Sequence, residues 1–156
     1  MFELQDCISD NEIKSYFVDF KNKIITIVTD NCNYDKPHEN VQLVFKNVKG
    51  HSFEKEHDIG QNILSDIYEY TFDEYILNIG GNNLFENIVS GKLGIYETDL
   101  CCNQEKELIE YFKNNNMRYY SINGSRGMYG WIVAEEFNII IGEKIINTIK
   151  EWIEIN

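Results

Sequence analysis

The sequence predicts an α+β domain in which a mainly antiparallel sheet, built of hairpins, carries a few helices. Three observations predict this class. Runs of β-branched and aromatic residues come in neighbouring pairs around short polar turns, and strands do not alternate strictly with helices as a parallel sheet requires. The 156 residues are 43% apolar and 13% aromatic with one proline, a composition typical of a folded chain. This length fits a single domain over residues 1–156.

The first half of the chain supplies most of the predicted strands. Residues 16–20 and 24–29 are apolar and β-branched on either side of a three-residue polar turn, which predicts a hairpin. The polar stretch 31–40 contains the proline and predicts a loop. Alternating apolar residues over 41–48 predict a third strand, and after a turn residues 51–58 return as a fourth.

The centre of the chain predicts a short helix over residues 61–69. Its apolar positions follow helical spacing: Ile63, Leu64, Ile67 and Tyr68. Strands are expected over 75–79, which ends at two glycines, and over 92–98.

A helix is also predicted over residues 104–113. Leu108, Ile109 and Phe112 share one helical face, and Asn103 stands where a cap is needed.

Beyond that helix, residues 117–122 and 128–141 are expected to form an aromatic-rich hairpin around the loop 123–127. An amphipathic C-terminal helix is predicted from apolar residues at intervals of three and four: Ile141, Ile145, Ile149, Trp152 and Ile153.

Charge is concentrated in the middle of the chain. Of the net −12, residues 51–110 carry −10, with 13 acidic against 3 basic residues. Residues 1–50 carry −2 and residues 111–156 are formally neutral. Nucleic acid is excluded as an expected partner, because its phosphates require clustered Lys and Arg. A cationic partner is electrostatically favoured.

The same composition predicts a soluble, cytoplasmic protein that does not contact membranes. No apolar run reaches the roughly 18–20 residues that a membrane span needs, and the first residues lack the basic start of a secretory signal. The four cysteines have no paired spacing, which favours reduced thiols: Cys7, Cys32, Cys101 and Cys102.

No catalytic residue, metal or cofactor is predicted, although two segments carry residue types that such a site would need. The cluster Glu54–Asp58 offers three carboxylates and an imidazole, but a solvated edge strand explains it better than a cation site. The loop 124–131 has three glycines at three-residue intervals whose amides could hold an anion, with Tyr129 and Trp131 beside it. The strand-like residues that follow favour a hairpin loop over a dinucleotide fingerprint.

The predicted partner-binding surface combines the central acids with tyrosines, which supply contact area inside a charged rim. Its residues are Glu54, Glu56, Asp58, Asp66, Tyr68, Glu69, Tyr70, Asp73 and Glu74.

The strand patterns at 17–20, 24–27, 43–48, 120–122 and 130–133 resemble those of small bacterial immunity-type proteins encoded beside polymorphic toxins. The resemblance implies a non-enzymatic protein that neutralises a cognate toxin by tight binding, and the acidic middle suits a basic toxin. It implies no catalytic residues. The alternative is a small-ligand binder or enzyme with its site near 124–131 or 54–58; homo-oligomer formation through exposed aromatic residues is a third hypothesis.

Overall fold

The computed structural model describes residues 8, 10–30, 40–56, 62–78, 105–142 and 144–146. Within these ranges, eight antiparallel strands form one sheet in the order β4-β6-β5-β1-β2-β3-β7-β8. The elements are β1 (Glu12–Asp19), β2 (Ile24–Asp30), β3 (Asn40–Lys46), β4 (Gly50–Glu56), β5 (Ile63–Tyr70), α1 (Phe72–Asn78), α2 (Glu105–Asn114), β6 (Arg118–Ala134), β7 (Glu136–Ile141) and β8 (Lys144–Ile146). The predicted antiparallel sheet is therefore confirmed.

The sheet curls back on itself because two pairs of strands are continuous at a corner. β3 leads into β4 within three residues, and β6 leads into β7 across Glu135. Two backbone hydrogen bonds carry the pairing around this corner, from Lys49 N to the Val133 carbonyl at 2.8 Å and from Glu135 N to the Lys46 carbonyl at 3.2 Å. The corner thus joins the β4 and β6 end of the sheet to β3 and β7, which lie near the other end.

The main core lies inside this curled sheet. Alternation along β2 places Ile25 and Ile27 inward and fully buried, as the period of two requires. They pack with inward residues of the other strands: Leu43, Phe45, Leu64, Ile67, Tyr120, Ile122, Ile132 and Ile139.

A second core forms on the outer face of β6, where the two helices cover the sheet. Phe72 and Tyr75 of α1 and Phe112 of α2 pack with Tyr119 of β6, and each is nearly or fully buried. The Phe72 and Phe112 ring centroids lie 4.9 Å apart, as do those of Tyr75 and Tyr119. The helices are therefore fixed to β6 by aromatic packing.

Several predicted elements are confirmed. The first hairpin is β1 and β2, the third and fourth strands are β3 and β4, and the helix predicted over 104–113 is α2. The predicted strand over 92–98 and the predicted loop over 31–39 lie outside the described residues.

The predicted helix over 61–69 is wrong, since these residues belong to β5. The register of β5 against β6 shifts between Ile63 and Leu64 and again between Leu64 and Asp66. Such bulges change the phase of alternation, so that Leu64 and Ile67 both face the core although they are three residues apart. The strand predicted over 75–79 is also wrong, because residues 72–78 form α1.

The predicted hairpin over 117–141 is also wrong. β6 runs unbroken through residues 123–127, because β5 pairs with its first half and β4 with its second. The start of the predicted C-terminal helix is β8, which pairs with β7 through Ile140 and Ile145 after a turn at Gly142. Residues 147–156 lie outside the described part of the chain.

Candidate functional site

An acidic and aromatic surface lies on the outer face of β5 and the start of α1. Alternation along β5 puts Asp66, Tyr68 and Tyr70 on this face, while Ile67 between them is buried. The Tyr70 ring packs against the second core, 6.4 Å from Tyr119, and the Tyr68 ring lies a further 6.4 Å from Tyr70. Tyr68 is 37% exposed at the border of that core. We call Asp66, Tyr68, Tyr70, Asp73 and Glu74 the β5 surface.

Asp66 sets the electrostatics around Tyr68. Its carboxylate accepts a hydrogen bond from Asn123 Nδ2 at 2.7 Å, which fixes its position on the sheet. The negative charge of Asp66 is the main cause that raises the pKa of Tyr68 above its usual value. Tyr68 thus presents an aromatic ring and a hydroxyl beside an anion.

The acids of α1 have partners of their own. Asp73 forms an ion pair with Lys113 of α2, although its side chain remains 77% exposed. The Glu74 carboxylate accepts a hydrogen bond from the backbone N–H of Thr71 at 2.9 Å. Lys113 offsets one of the three carboxylate charges of the β5 surface, so the surface stays net negative.

Glu69 is separate from this surface because it faces the opposite side of β5. Its carboxylate lies 3.0 Å from the Arg118 guanidinium, at the start of β6. Arg118 and Lys113 both come from the formally neutral last third of the chain. The fold thus pairs part of the central acidity with distant bases.

The remaining predicted partner-binding residues lie on or beyond β4. Glu54 is in register with Tyr129 of β6, six positions along that strand from Asn123, the partner of Asp66. Glu56 is in register with Gly127, but its side chain lies outside what the structure describes, as does Asp58 entirely. Of the nine predicted residues, the structure places Asp66, Tyr68 and Tyr70 side by side on β5, and Asp73 and Glu74 follow at the start of α1.

Where the structure describes them, the two alternative sites, 54–58 and 124–131, are adjacent. β4 pairs with β6 over residues 50–56 and 127–133, and the Tyr129 hydroxyl donates to Glu54 Oε2 at 2.7 Å. Beside them lies a cavity of about 400 Å³ lined by residues of β1, β4 and β6 and by the residue before β5: Ile13, Lys14, Ser15, Tyr16, Phe53, Glu54, Asn62 and Met128. The sequence analysis did not identify Tyr16, Phe53 and Asn62 as site residues. The one available signal was that Tyr16 and Phe17 are consecutive, so that alternation along a strand must turn one of them away from the core.

The glycine-rich stretch does not form the anion cradle that was considered. A side chain at Gly124 would meet the carbonyl oxygens of Met128 at 2.3 Å and of Arg126 and Ile63 at 3.2 Å. Carbonyl oxygens repel an anion. Among the described residues, no three His, Cys, Asp or Glu side chains are grouped as metal ligands.

Comparison of the chain with protein-family models, curated proteins and solved structures finds no match. In the described ranges, neither helix is long and apolar enough to cross a bilayer.

Proposed function

We propose that this chain is a non-enzymatic protein-binding domain of the immunity type, which inhibits a cationic bacterial toxin through the β5 surface. The observation that carries the proposal is the position of Tyr68. Its partly exposed ring stands next to the Asp66 carboxylate, on the side of the sheet where α1 contributes the exposed Asp73.

This arrangement combines the two features of a tight, charge-steered interface. Tyrosine side chains are frequent energetic centres of interfaces, because a large ring is ordered at low entropic cost. Complementary charge mainly raises the association rate and selects the partner. Tyr68 neighbours Tyr70, which packs against the second core, and a side chain supported in this way loses less entropy on binding.

The proposed partner is a basic toxin domain in the cytoplasm. The resemblance of the strand patterns to immunity-type proteins supports this class of partner, and the net charge of −12 supports its sign. Nucleic acid does not fit this surface, since like charges would repel its phosphates.

The proposal is tested with the basic domain encoded next to the gene for this chain. Asp66→Asn with Asp73→Asn should lower the association rate constant about three- to tenfold at low salt and flatten its salt dependence. Tyr68→Ala should weaken affinity by roughly thirtyfold, mainly through faster dissociation. Surface plasmon resonance at several salt concentrations measures both.

The matched control is Glu136→Gln, which removes an exposed acid from β7. It should leave both rate constants within about twofold, because it lies outside the β5 surface. The proposal fails if the domain does not bind, or if the control has the same effect as the Asp66 and Asp73 changes.

A further inference from the structure

A cleft opens between β1 and β4 because β1 is hydrogen-bonded on only one side along most of its length. In the described chain, β1 pairs with β5 only where Glu12 is opposite Ile63, whereas it pairs with β2 as far as Asp19. Beyond Ile13, β1 and β5 diverge. The cavity of about 400 Å³ lies there, within the size range of small-molecule sites.

The apolar walls of the cleft come from opposite strands. The rings of Tyr16 on β1 and Phe53 on β4 meet edge to face, with centroids 4.9 Å apart and planes at 66°. Ile13 and Met128, both nearly buried, line the rest of this wall. These walls suit a compact apolar or aromatic body.

Asn62 supplies an unused hydrogen-bond acceptor. Its backbone carbonyl accepts a hydrogen bond from Ile13 N at 2.7 Å and so fixes the residue at the cleft. Its side-chain Oδ1 is buried and accepts no hydrogen bond from any residue that the structure describes. A buried acceptor without a donor is unfavourable, so a ligand that donates an N–H or O–H would be stabilised there.

The charge balance of the cleft selects a cation. Lys14 is offset by Glu12 at 2.8 Å and by Asp30 at 3.7 Å. Glu54 has Tyr129 as a neutral donor, which leaves its negative charge in place. The cleft therefore favours a positive ligand over a negative one.

We propose that this cleft binds a small organic ammonium ion with an aromatic or aliphatic body. The ammonium group donates to Asn62 Oδ1 and is attracted by Glu54 and by the Tyr16 and Phe53 rings, while the body displaces water from the apolar walls. This binding site goes beyond the proposed function, because none of its residues belongs to the β5 surface.

The test is isothermal titration calorimetry with three probes that share a phenylethyl body and differ in the charge of their head group: 2-phenylethylammonium, 2-phenylethanol and 3-phenylpropionate. The ammonium probe should bind with a dissociation constant of ~1 mM or below, which is within the affinity that a ligand of its few heavy atoms can reach. The alcohol should bind about tenfold more weakly and the carboxylate not measurably at that concentration. Equal binding of the three probes, or no binding of the amine at 10 mM, overturns the proposal.

Variants assign the binding to these residues. Glu54→Gln should weaken the ammonium probe roughly three- to tenfold and leave the alcohol unchanged. Asn62→Ala should weaken both, because both donate a hydrogen bond to its Oδ1. Tyr129→Phe keeps the Glu54 carboxylate and should retain amine binding, and Glu110→Gln, on α2, should change nothing.

The variants also separate charge recognition from damage to the fold. If Glu54→Gln weakens the amine and the alcohol equally, the ammonium assignment is wrong. Thermal melting checks that each variant is folded. Glu54→Gln should melt like the unmodified protein, because Glu54 is exposed and its replacement is conservative.

Discussion

Thr71 and Glu74 hold the first turn of α1 by two reciprocal hydrogen bonds. The backbone N–H of Glu74 donates to Thr71 Oγ1 at 3.2 Å, and the backbone N–H of Thr71 donates to the Glu74 carboxylate at 2.9 Å. This is a capping box. Thr71→Ala should lower the free energy of unfolding by about 1 kcal/mol, because one terminal N–H of α1 then lacks its acceptor. Urea denaturation followed by circular dichroism measures the loss.

Two conservative changes serve as controls for this cap. Thr71→Ser keeps the hydroxyl and Glu74→Gln keeps an acceptor oxygen, so each should cost less than the alanine change. A loss from Thr71→Ser as large as that from Thr71→Ala would contradict the capping role. Glu74→Gln also removes a charge from the β5 surface without unfolding α1.

Phe45 is expected to be among the most sensitive core positions. It is fully buried, and its ring stacks on Phe137 with centroids 4.6 Å apart and meets Tyr120 edge to face at 5.2 Å. Phe45→Ala should cost about 3–5 kcal/mol through lost burial and a cavity. Phe17→Ala removes the same atoms from a residue that is 62% exposed and should cost under ~0.5 kcal/mol. Chemical denaturation compares the two, and similar losses would contradict the inward assignment of Phe45.

A buried chain of hydrogen bonds links the residue before β1 to β2 and β3 through Thr29. Asn11 Nδ2 donates to Thr29 Oγ1 at 3.0 Å, and that hydroxyl donates to the Val41 carbonyl at 3.0 Å. Thr29→Val preserves shape but removes both bonds, so it should cost about 1–3 kcal/mol. Thr26→Val, on the same strand but only half-buried, should change stability by less than ~0.5 kcal/mol. The interpretation fails if Thr29→Val is equally neutral in equilibrium unfolding.

Gly130 allows β4 to approach β6. A side-chain carbon there would lie 1.9 Å from the Ser52 carbonyl oxygen, so Gly130→Ala must push the two backbones apart. We expect a loss of about 1–3 kcal/mol and faster amide exchange along β4. Gly142→Ala instead places a methyl in open space at a positive φ of 59°, and should cost about 1 kcal/mol with no change in β4 exchange. Hydrogen exchange distinguishes the two.

His51 should make stability depend on pH. Burial lowers the pKa of His51 below its ordinary 6.5. As pH falls through 6.5, the unfolded chain binds a proton that the folded chain still rejects, so the free energy of unfolding decreases until the folded pKa is passed. In the His51→Leu variant, the free energy of unfolding should lack this decrease below pH 6.5. Above pH 6.5 the substitution should not change the pH dependence of stability. Urea titrations from pH 5 to 7.5 measure both. An unchanged difference between the two proteins across that range would contradict it.

Local patterns predicted the elements whose pairing is local. The first hairpin follows from β-branched residues around a short turn, and α2 follows from one apolar face at helical spacing. α1 also had a local signal, because Thr71 and Glu74 have capping-box spacing, but the tyrosines of the segment favoured a strand. Because α1 has only seven residues, its helical signal was no stronger than the signal for a strand.

The predicted elements that the structure contradicts depend on partners distant in the sequence. β5 looked helical because its bulges against β6 place Leu64 and Ile67 on one face. The stretch 123–127 looked like a turn because of its two glycines, yet β5 and β4 supply strand partners on either side. The local preference of glycine for turns is weaker than the backbone hydrogen bonds that β6 forms with β4 and β5.

The sequence by itself determined that the chain folds, that its sheet is antiparallel and that its acidity is central, because composition, alternation and charge are local properties. Only the tertiary structure decided on which face, and beside which partners, these acids lie. It places Asp66 beside Tyr68, pairs Asp73 with Lys113 and Glu69 with Arg118, and sets Glu54 in a cleft with Asn62. The physical reason is that the face of each strand residue depends on bulges and long-range register, which hydrogen bonding between distant segments fixes.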